Sequence, residues 1–138
     1  MKESTKESIA DPVAEARRYV QNARELLDEK ANLNYETQSY QDRKYIRMAG
    51  NTLWNGVLLI LDATFQLENK KGRLSIYDYR NVVGKHDRKL LDMVNRGYDT
   101  LHLAMGYDGN QSKVTCLDGL KIANDIIDRC ATMLAKVA

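Results

Sequence analysis

Residues 44–66 constrain the fold most, because they have the pattern of one long helix that is apolar around nearly its whole circumference. A narrow polar stripe interrupts this surface. At about 100° per residue, Arg47, Asn51, Asn55 and Asp62 fall within roughly 80° of one another. We expect so apolar a helix to be the central element of an all-helical core, and its stripe to be a buried polar network, an interface or a ligand site.

Length and charge indicate one domain and leave the choice of partner open. A chain of 138 residues, 43 % hydrophobic and 29 % charged, is typical of a single globular domain with one core. We expect a frayed tail over residues 1–10 and one helical-bundle domain over residues 11–138. The formal net charge of +2 neither demands nor excludes nucleic acid.

The sequence favours a cytoplasmic location. Its polar N-terminus has mixed charge and does not resemble a signal peptide. The longest apolar run, residues 57–61, is far shorter than the about 20 residues that span a bilayer, so no membrane partner is expected. Cys116 and Cys130 lie in one predicted helix, about 21 Å apart along its axis, and therefore cannot form a disulfide with each other. Both are expected to be small core residues in a reducing compartment.

Helix signals in the first half of the chain follow one another closely. Asp11 before Pro12 predicts the start of a first helix, which continues at helical spacing to about Lys30. A polar connection over residues 31–41 follows. The central helix should then continue until Gly72 stops it.

The second half contains a short helix and two long ones. Ser75 and Asp78 have the spacing of a capping box for a short helix that breaks at Gly84. Asp87 then begins a third long helix, which ends in the turn over residues 106–110. The last helix has an apolar seam with alternating steps of four and three: Cys116, Leu120, Ala123, Ile127, Cys130, Leu134 and Val137. We predict an all-α antiparallel bundle of four long helices plus one short helix, without strands.

Several features taken together carry a family resemblance. They are a first helix with the pattern Ala-Arg-Arg-Tyr-Val-Gln-Asn-Ala-Arg-Glu-Leu-Leu, a connection containing Tyr40, a long apolar helix through Trp54 and Phe65, and a third helix carrying Arg96 and His102. This arrangement resembles the HEPN superfamily of four- and five-helix bundles. Residues 98–109 are also similar to an uncharacterised bacterial helical-bundle family of about this length.

The HEPN resemblance implies candidate catalytic residues. Many proteins of that type are metal-independent ribonucleases with a short Arg-to-His spacing, which Arg96 and His102 match, whereas others bind nucleotides or pair with nucleotidyltransferases. The His would act as general acid or base on the ribose 2′-hydroxyl, and the Arg would stabilise the charged phosphate. In that superfamily the residue after the Arg is usually polar, whereas here it is Gly97. On a regular helix the two side chains lie roughly 120° apart, so a shared site needs a distorted helix, long reach from Arg96 or the same residues of a second protomer.

The same residues also have non-catalytic interpretations. His102 lies one turn after Tyr98. We favour a hydrogen-bonded, half-buried core histidine over a catalyst at this position. The candidate ligand-binding residues are Asn51, Asn55, Asp62 and Tyr98. The two histidines and two cysteines lack the spacing of a metal site, so we predict no metal and no other cofactor.

We therefore interpret the chain as a non-catalytic binding or interaction module. A homodimer is expected, because so apolar a central helix needs extra cover; the alternative is that the short helix near Tyr77 and the connection over residues 31–41 supply this cover. The alternatives are a toxin-type, metal-independent endoribonuclease using Arg96 and His102, and a nucleotide or small-molecule binder using the polar stripe. The corresponding partners are RNA, a nucleotide or a nucleotidyltransferase-type protein.

Overall fold

The computed structural model describes residues 11–67 and 74–137, and most of these residues are helical. The elements are α1 (Pro12–Glu25) with a π-helical extension π1 (Leu26–Lys30), β1 (Leu33–Asn34), β2 (Ser39–Tyr40), α2 (Arg43–Phe65), α3 (Ile76–His86), α4 (Arg88–Gly97), the π-helix π2 (Tyr98–Tyr107) and α5 (Lys113–Val137). Because π2 continues α4 directly, the two form one long helix. The predicted all-α bundle of four long helices and one short helix is confirmed.

Capping side chains set the helix starts that the sequence predicted. Asp11 Oδ1 accepts hydrogen bonds from the backbone N–H groups of Val13 at 3.0 Å and Ala14 at 3.3 Å. Ser75 and Asp78 form a reciprocal capping box, in which each side chain accepts from the backbone N–H of the other residue. These bonds satisfy amides that have no partner inside the helix, and the starts of α1 and α3 are therefore local properties of the sequence.

The end of α2 differs from the prediction. The helix stops at Phe65, because Gln66 adopts a left-handed conformation with φ of 53°. The backbone N–H groups of Gln66 and Leu67 both donate to the Asp62 carbonyl oxygen, which closes the last turn. Gly72, the predicted stop, lies outside the described residues, as does the predicted tail over residues 1–10.

A small hairpin occupies the connection between α1 and α2, so the prediction of no strands was wrong. Leu33 pairs with Tyr40 in an antiparallel register. Between the strands, Asn34 Oδ1 accepts hydrogen bonds from the N–H groups of Glu36 at 2.9 Å and Thr37 at 3.2 Å. Strands of two residues are too short to produce an alternating pattern, and side chains within the turn stabilise it, since Gln38 Nε2 also donates to the Tyr35 carbonyl oxygen at 2.6 Å.

The short helix α3 also runs further than predicted. Gly84 lies inside it, since one glycine costs a helix only about 1 kcal/mol. The helix ends at His86, whose ring stacks on Phe65 with centroids 5.4 Å apart. Asp87 then caps α4 by accepting a hydrogen bond from the Leu90 N–H at 3.1 Å, and the predicted start of the third long helix is confirmed.

The core is built around α2, which α1, π2 and α5 contact. Its completely buried side chains are Ile46, Ala49, Leu53, Val57, Ile60 and Leu61. The seam of α5 is buried from Cys116 to Cys130, whereas Leu134 is half-buried and Val137 is 83 % exposed. The predicted seam therefore leaves the core in the last turns of the helix.

The two cysteines are free, buried thiols, as their predicted core role requires. Burial raises the pKa of both Cys116 and Cys130 to about 11, because the charged thiolate would lose its hydration. Thiols with so high a pKa stay protonated at neutral pH and are poor nucleophiles. Their contribution is packing.

The seam of α5 gives a stability prediction. Ile127 is completely buried, so Ile127→Ala should lower the free energy of unfolding by about 2–5 kcal/mol. The half-buried Leu134 should cost less when changed to Ala. Lys121→Ala, on the exposed face, should cost under about 0.5 kcal/mol. Urea unfolding compares the three variants, and equal midpoints would contradict the assignment of this face to the core.

An ion pair ties the start of α4 to α5. Arg129 Nε donates to Asp87 Oδ2 at 2.8 Å, and Arg129 Nη2 donates to Asp87 Oδ1 at 3.0 Å. These hydrogen bonds hold the pKa of the Asp87 carboxyl below its usual value. The pair therefore favours the ionised form of a helix-capping residue.

The lowered pKa of Asp87 predicts a pH-dependent contribution to stability. A carboxyl of this kind stabilises the fold above its unfolded pKa of about 3.9, and the contribution is lost as the pH falls through the folded pKa. Asp87→Asn keeps a capping side chain but does not titrate. Its loss of stability relative to wild type should be largest near neutral pH and shrink below about pH 4. Urea unfolding at several pH values measures this difference; a constant difference would exclude the ion pair as its cause, and Arg129→Gln should reproduce the pH-dependent loss.

Candidate functional site

A surface cleft of about 450 Å³ opens between the middle of α2, the start of α3 and π2. Its lining consists of Asn51, Trp54, Asn55, Leu58, Leu74, Ile76, Tyr79, Tyr98 and His102. Aromatic rings and two amide side chains dominate this surface. Among the described residues that line it, none carries a carboxylate, an ammonium or a guanidinium group.

The α2 wall of the cleft is one part of the predicted polar stripe. Asn51, Trp54, Asn55 and Leu58 follow one another at steps of three, one and three residues, which places them on one face of the helix. Both asparagines are exposed, and neither amide makes a hydrogen bond to any residue that the structure describes. The Asn55 amide is therefore available at an open cleft, whereas Asn51 Oδ1 packs close to Gly106.

Asp62, a further predicted ligand residue, lies behind the lining. The Tyr79 hydroxyl donates a hydrogen bond to Asp62 Oδ1 at 2.7 Å. Burial raises the pKa of the Asp62 carboxyl, and the hydrogen bond from Tyr79 opposes that rise. Asp62 thus positions a lining side chain. Arg47, the fourth stripe residue, lies near the far end of π2, where its Nε donates to the Tyr107 carbonyl oxygen at 3.1 Å.

Three rings form a continuous cluster on one side of the cleft. The Trp54 and Tyr98 centroids are 5.8 Å apart at an interplanar angle of 71°, and the His102 ring lies 5.1 Å from Tyr98 and 6.0 Å from Trp54. Separations of this size are typical of stabilising aromatic contacts. Trp54 is only 7 % exposed, so it anchors the cluster in the core, while Tyr98 and His102 remain half-buried at the cleft.

His102 Nδ1 is an unsatisfied polar atom within this cluster. It is buried and has no hydrogen-bond partner in the described part of the chain. Such a nitrogen destabilises the fold, because it has lost contact with water without gaining a protein partner. The predicted hydrogen-bonded core histidine is therefore wrong for Nδ1, although the ring is packed against its neighbours.

Close backbone approach holds π2 in place. A Cβ atom at Gly50 would lie 2.5 Å from the Gly106 backbone nitrogen, and one at Gly106 would lie 2.6 Å from Asn51 Oδ1. On the α5 side, a Cβ at Gly119 would lie 2.6 Å from Met105 Sδ. Glycine allows both helices to approach where any side chain would collide. Contacts with α2 and α5 thereby fix the two rings that π2 contributes to the cleft.

The structure does not bring Arg96 into the cleft with His102. Arg96 is exposed on α4 and is not a lining residue, whereas His102 is. Gly97, the departure from the family pattern, faces the core: a Cβ there would lie 3.5 Å from Trp54 Cζ3. Its small size therefore serves packing beside the aromatic cluster.

The α3 wall was missed in the sequence analysis. Leu74, Ile76 and Tyr79 line the cleft from a region for which only a short helix was predicted. The Ser75 and Asp78 capping box was a usable signal, since it fixes the helix start and so places Ile76 and Tyr79 on one face. The sequence contains no comparable signal for which helix that face meets.

Residues 11–67 and 74–137 contain no group of three or more His, Cys, Asp or Glu side chains arranged to hold a metal ion. No helix in these ranges has both the length and the apolar character needed to cross a membrane. The cleft between α2, α3 and π2 brings together four of the site residues predicted from the sequence: Asn51, Asn55, Tyr98 and His102.

The fold and the cleft define a class of protein: a small helical bundle with a surface cleft of aromatic and amide side chains. The chain belongs to the family described as Domain of unknown function (DUF5618), whose model matches residues 11–132. It is similar to a solved protein of unknown function from Dyadobacter fermentans, with 37 % sequence identity and a TM-score of 0.78 over 86 % of this chain and 93 % of that chain. No curated protein matches it. The predicted likeness to an uncharacterised family is confirmed.

The unpaired Nδ1 predicts that His102→Phe costs little stability. Phenylalanine keeps a ring and replaces the unpaired nitrogen by carbon, so the free energy of unfolding should fall by less than about 0.5 kcal/mol or rise. His102→Ala removes the contacts with Trp54 and Tyr98 and should lower it by about 1–2 kcal/mol. Urea unfolding compares the two variants; equal losses would mean that the imidazole nitrogen has a structural partner.

Proposed function

We propose that the protein is a non-catalytic binding protein and that the cleft between α2, α3 and π2 binds a small organic molecule. The observation that carries the proposal is a pair of exposed amides, those of Asn51 and Asn55, that lie beside an aromatic wall and have no hydrogen-bond partner among the described residues. A purely structural network would pair such groups with one another. A ligand site leaves them unpaired until a molecule binds.

The size and composition of the cleft support this proposal. A volume of about 450 Å³ lies within the range of roughly 300–1,000 Å³ that is usual for small-molecule sites. Such sites combine apolar and aromatic walls with a few polar groups that fix the orientation of the ligand. Here Trp54, Tyr79 and Tyr98 supply the aromatic walls, and the two asparagines supply the polar groups.

The ribonuclease hypothesis is not part of this proposal. Cleavage of RNA needs a cation that stabilises the developing charge on the phosphate beside the general base. Arg96 is not among the described residues that line the cleft with His102, and the proposal therefore gives neither residue a catalytic role. The HEPN resemblance, and the RNA or nucleotidyltransferase partners that it implies, stay predictions.

The homodimer and the cytoplasmic location also stay predictions. For the dimer, exposed apolar side chains on π2 and α5 offer a surface that a second copy would cover: Leu103, Tyr107, Val114 and Leu117. Light scattering measures the mass in solution. A monomeric mass at concentrations up to about 100 μM would argue against a dimer of useful affinity.

Filling the cleft tests the proposed function. Asn55→Phe places a ring in the cleft, whereas the matched control Asn81→Phe places the same ring on the exposed face of α3, outside the lining. Trp54 is the single tryptophan of the chain and lines the cleft, so its emission reports binding there directly. The probes are uncharged aromatic, aliphatic and polyol compounds of increasing size, titrated against both variants and the wild type.

We expect at least one probe to bind saturably to the wild type and to Asn81→Phe, but not to Asn55→Phe. The same probe should raise the Tm, since a ligand at 100 times its Kd stabilises the folded state by about 2.7 kcal/mol. Saturable binding by none of the probes, or equal binding to Asn55→Phe, would contradict a small-molecule site in this cleft.

A further inference from the structure

From the lining of the cleft we infer the chemical class of its ligand. It is an uncharged, planar heteroaromatic compound that presents a hydrogen-bond donor and an acceptor side by side on one edge, and it carries no phosphate. This inference rests on the proposed small-molecule function and narrows it. Three properties of the lining carry it: its rings, the spacing of its amides and the placement of the nearby charges.

The rings favour a planar ligand. Trp54, Tyr98 and His102 form a cluster with centroid distances from 5.1 to 6.0 Å, and Tyr79 lines the cleft from α3. Aromatic side chains bind flat rings by stacking and edge contacts, which bury apolar area without requiring a particular substituent. A flat ligand gains most from such a surface.

The amides favour an edge with adjacent donor and acceptor groups. Asn51 and Asn55 lie one helical turn apart on α2, at the Cβ separation of about 6 Å that this spacing gives. Each amide offers an oxygen acceptor and an NH₂ donor in one plane. An amide of this kind makes paired hydrogen bonds to a heteroaromatic edge that shows a donor beside an acceptor.

None of the described residues that line the cleft carries a positively charged side chain, which disfavours a phosphate. Arg80 donates from Nε to Asn95 Oδ1 at 2.8 Å, and its guanidinium lies 5.3 Å from the Tyr98 ring centroid. The N-terminus of α3 borders the cleft, and a helix N-terminus attracts anions. There, however, the Asp78 carboxylate and the Ser75 hydroxyl already occupy the capping positions. Two of the N–H groups at this helix end are therefore already bonded to the protein's own side chains.

Free bases and their charged derivatives test this class. The probes are adenine, cytosine and hypoxanthine, then adenosine and AMP, with indole as a flat ring that lacks a paired donor and acceptor edge. Binding is followed by Trp54 emission and by calorimetry. The variants are Asn55→Ala, which removes one amide from the cleft, and Asn81→Ala, which removes an exposed amide on α3 outside it.

We expect at least one free base to bind, and AMP to bind at least about 10-fold more weakly than adenosine. Asn55→Ala should weaken binding of the base about 10-fold and leave indole unchanged, whereas Asn81→Ala should change neither. Tighter binding of AMP than of adenosine, or equal binding of a base to wild type and Asn55→Ala, would overturn the inference. If other small probes bind at the cleft but no base does, the inference fails while the proposed function stands; if no compound binds, both fail.

Discussion

The close approach of α2 and π2 is the constraint on which the candidate site depends. A Cβ atom at Gly50 would lie 2.5 Å from the Gly106 backbone nitrogen and 2.8 Å from the Leu101 carbonyl oxygen, both of which belong to π2. A side chain at Gly50 would therefore separate the two helices. In π2 the backbone pairs five residues apart, as in the bond from the Asp108 N–H to the Leu103 carbonyl oxygen at 2.9 Å. π-Helical segments of this kind are often found at functional sites.

The cleft carries one feature that lowers stability, and the core compensates for it. His102 Nδ1 is buried without a hydrogen-bond partner among the described residues, whereas the amides of Asn51 and Asn55 are exposed. Structures tolerate such groups where the surrounding packing holds them in place. Here the completely buried α2 residues on the opposite side of the same helix, including Leu53 and Val57, supply that packing. A binding surface needs a rigidly packed core on one side of the helix and accessible polar groups on the side that faces the ligand.

Helical periodicity predicted the residues of the candidate site only in part, as the polar stripe shows. Its angular prediction placed Asn51 and Asn55 on one face of α2, and both line the cleft. The same calculation put Arg47 and Asp62 with them, yet Arg47 bonds to the far end of π2 and Asp62 bonds to Tyr79. A stripe along a 23-residue helix meets different neighbours at different heights. Periodicity predicts on which face of the helix a residue lies. The elements that pack against the helix at that height determine what its side chain contacts.

By itself, the sequence determined the helical class, the central place of α2 and the starts of α1, α3 and α4. Caps and apolar periodicity act over three or four residues and can be recognised along the chain. Only the tertiary structure decided that α3 places Tyr79 across from α2, that π2 widens beside Gly50, and that Arg96 stays outside the cleft while His102 lines it. These outcomes depend on contacts between residues far apart in sequence, for which no local pattern exists.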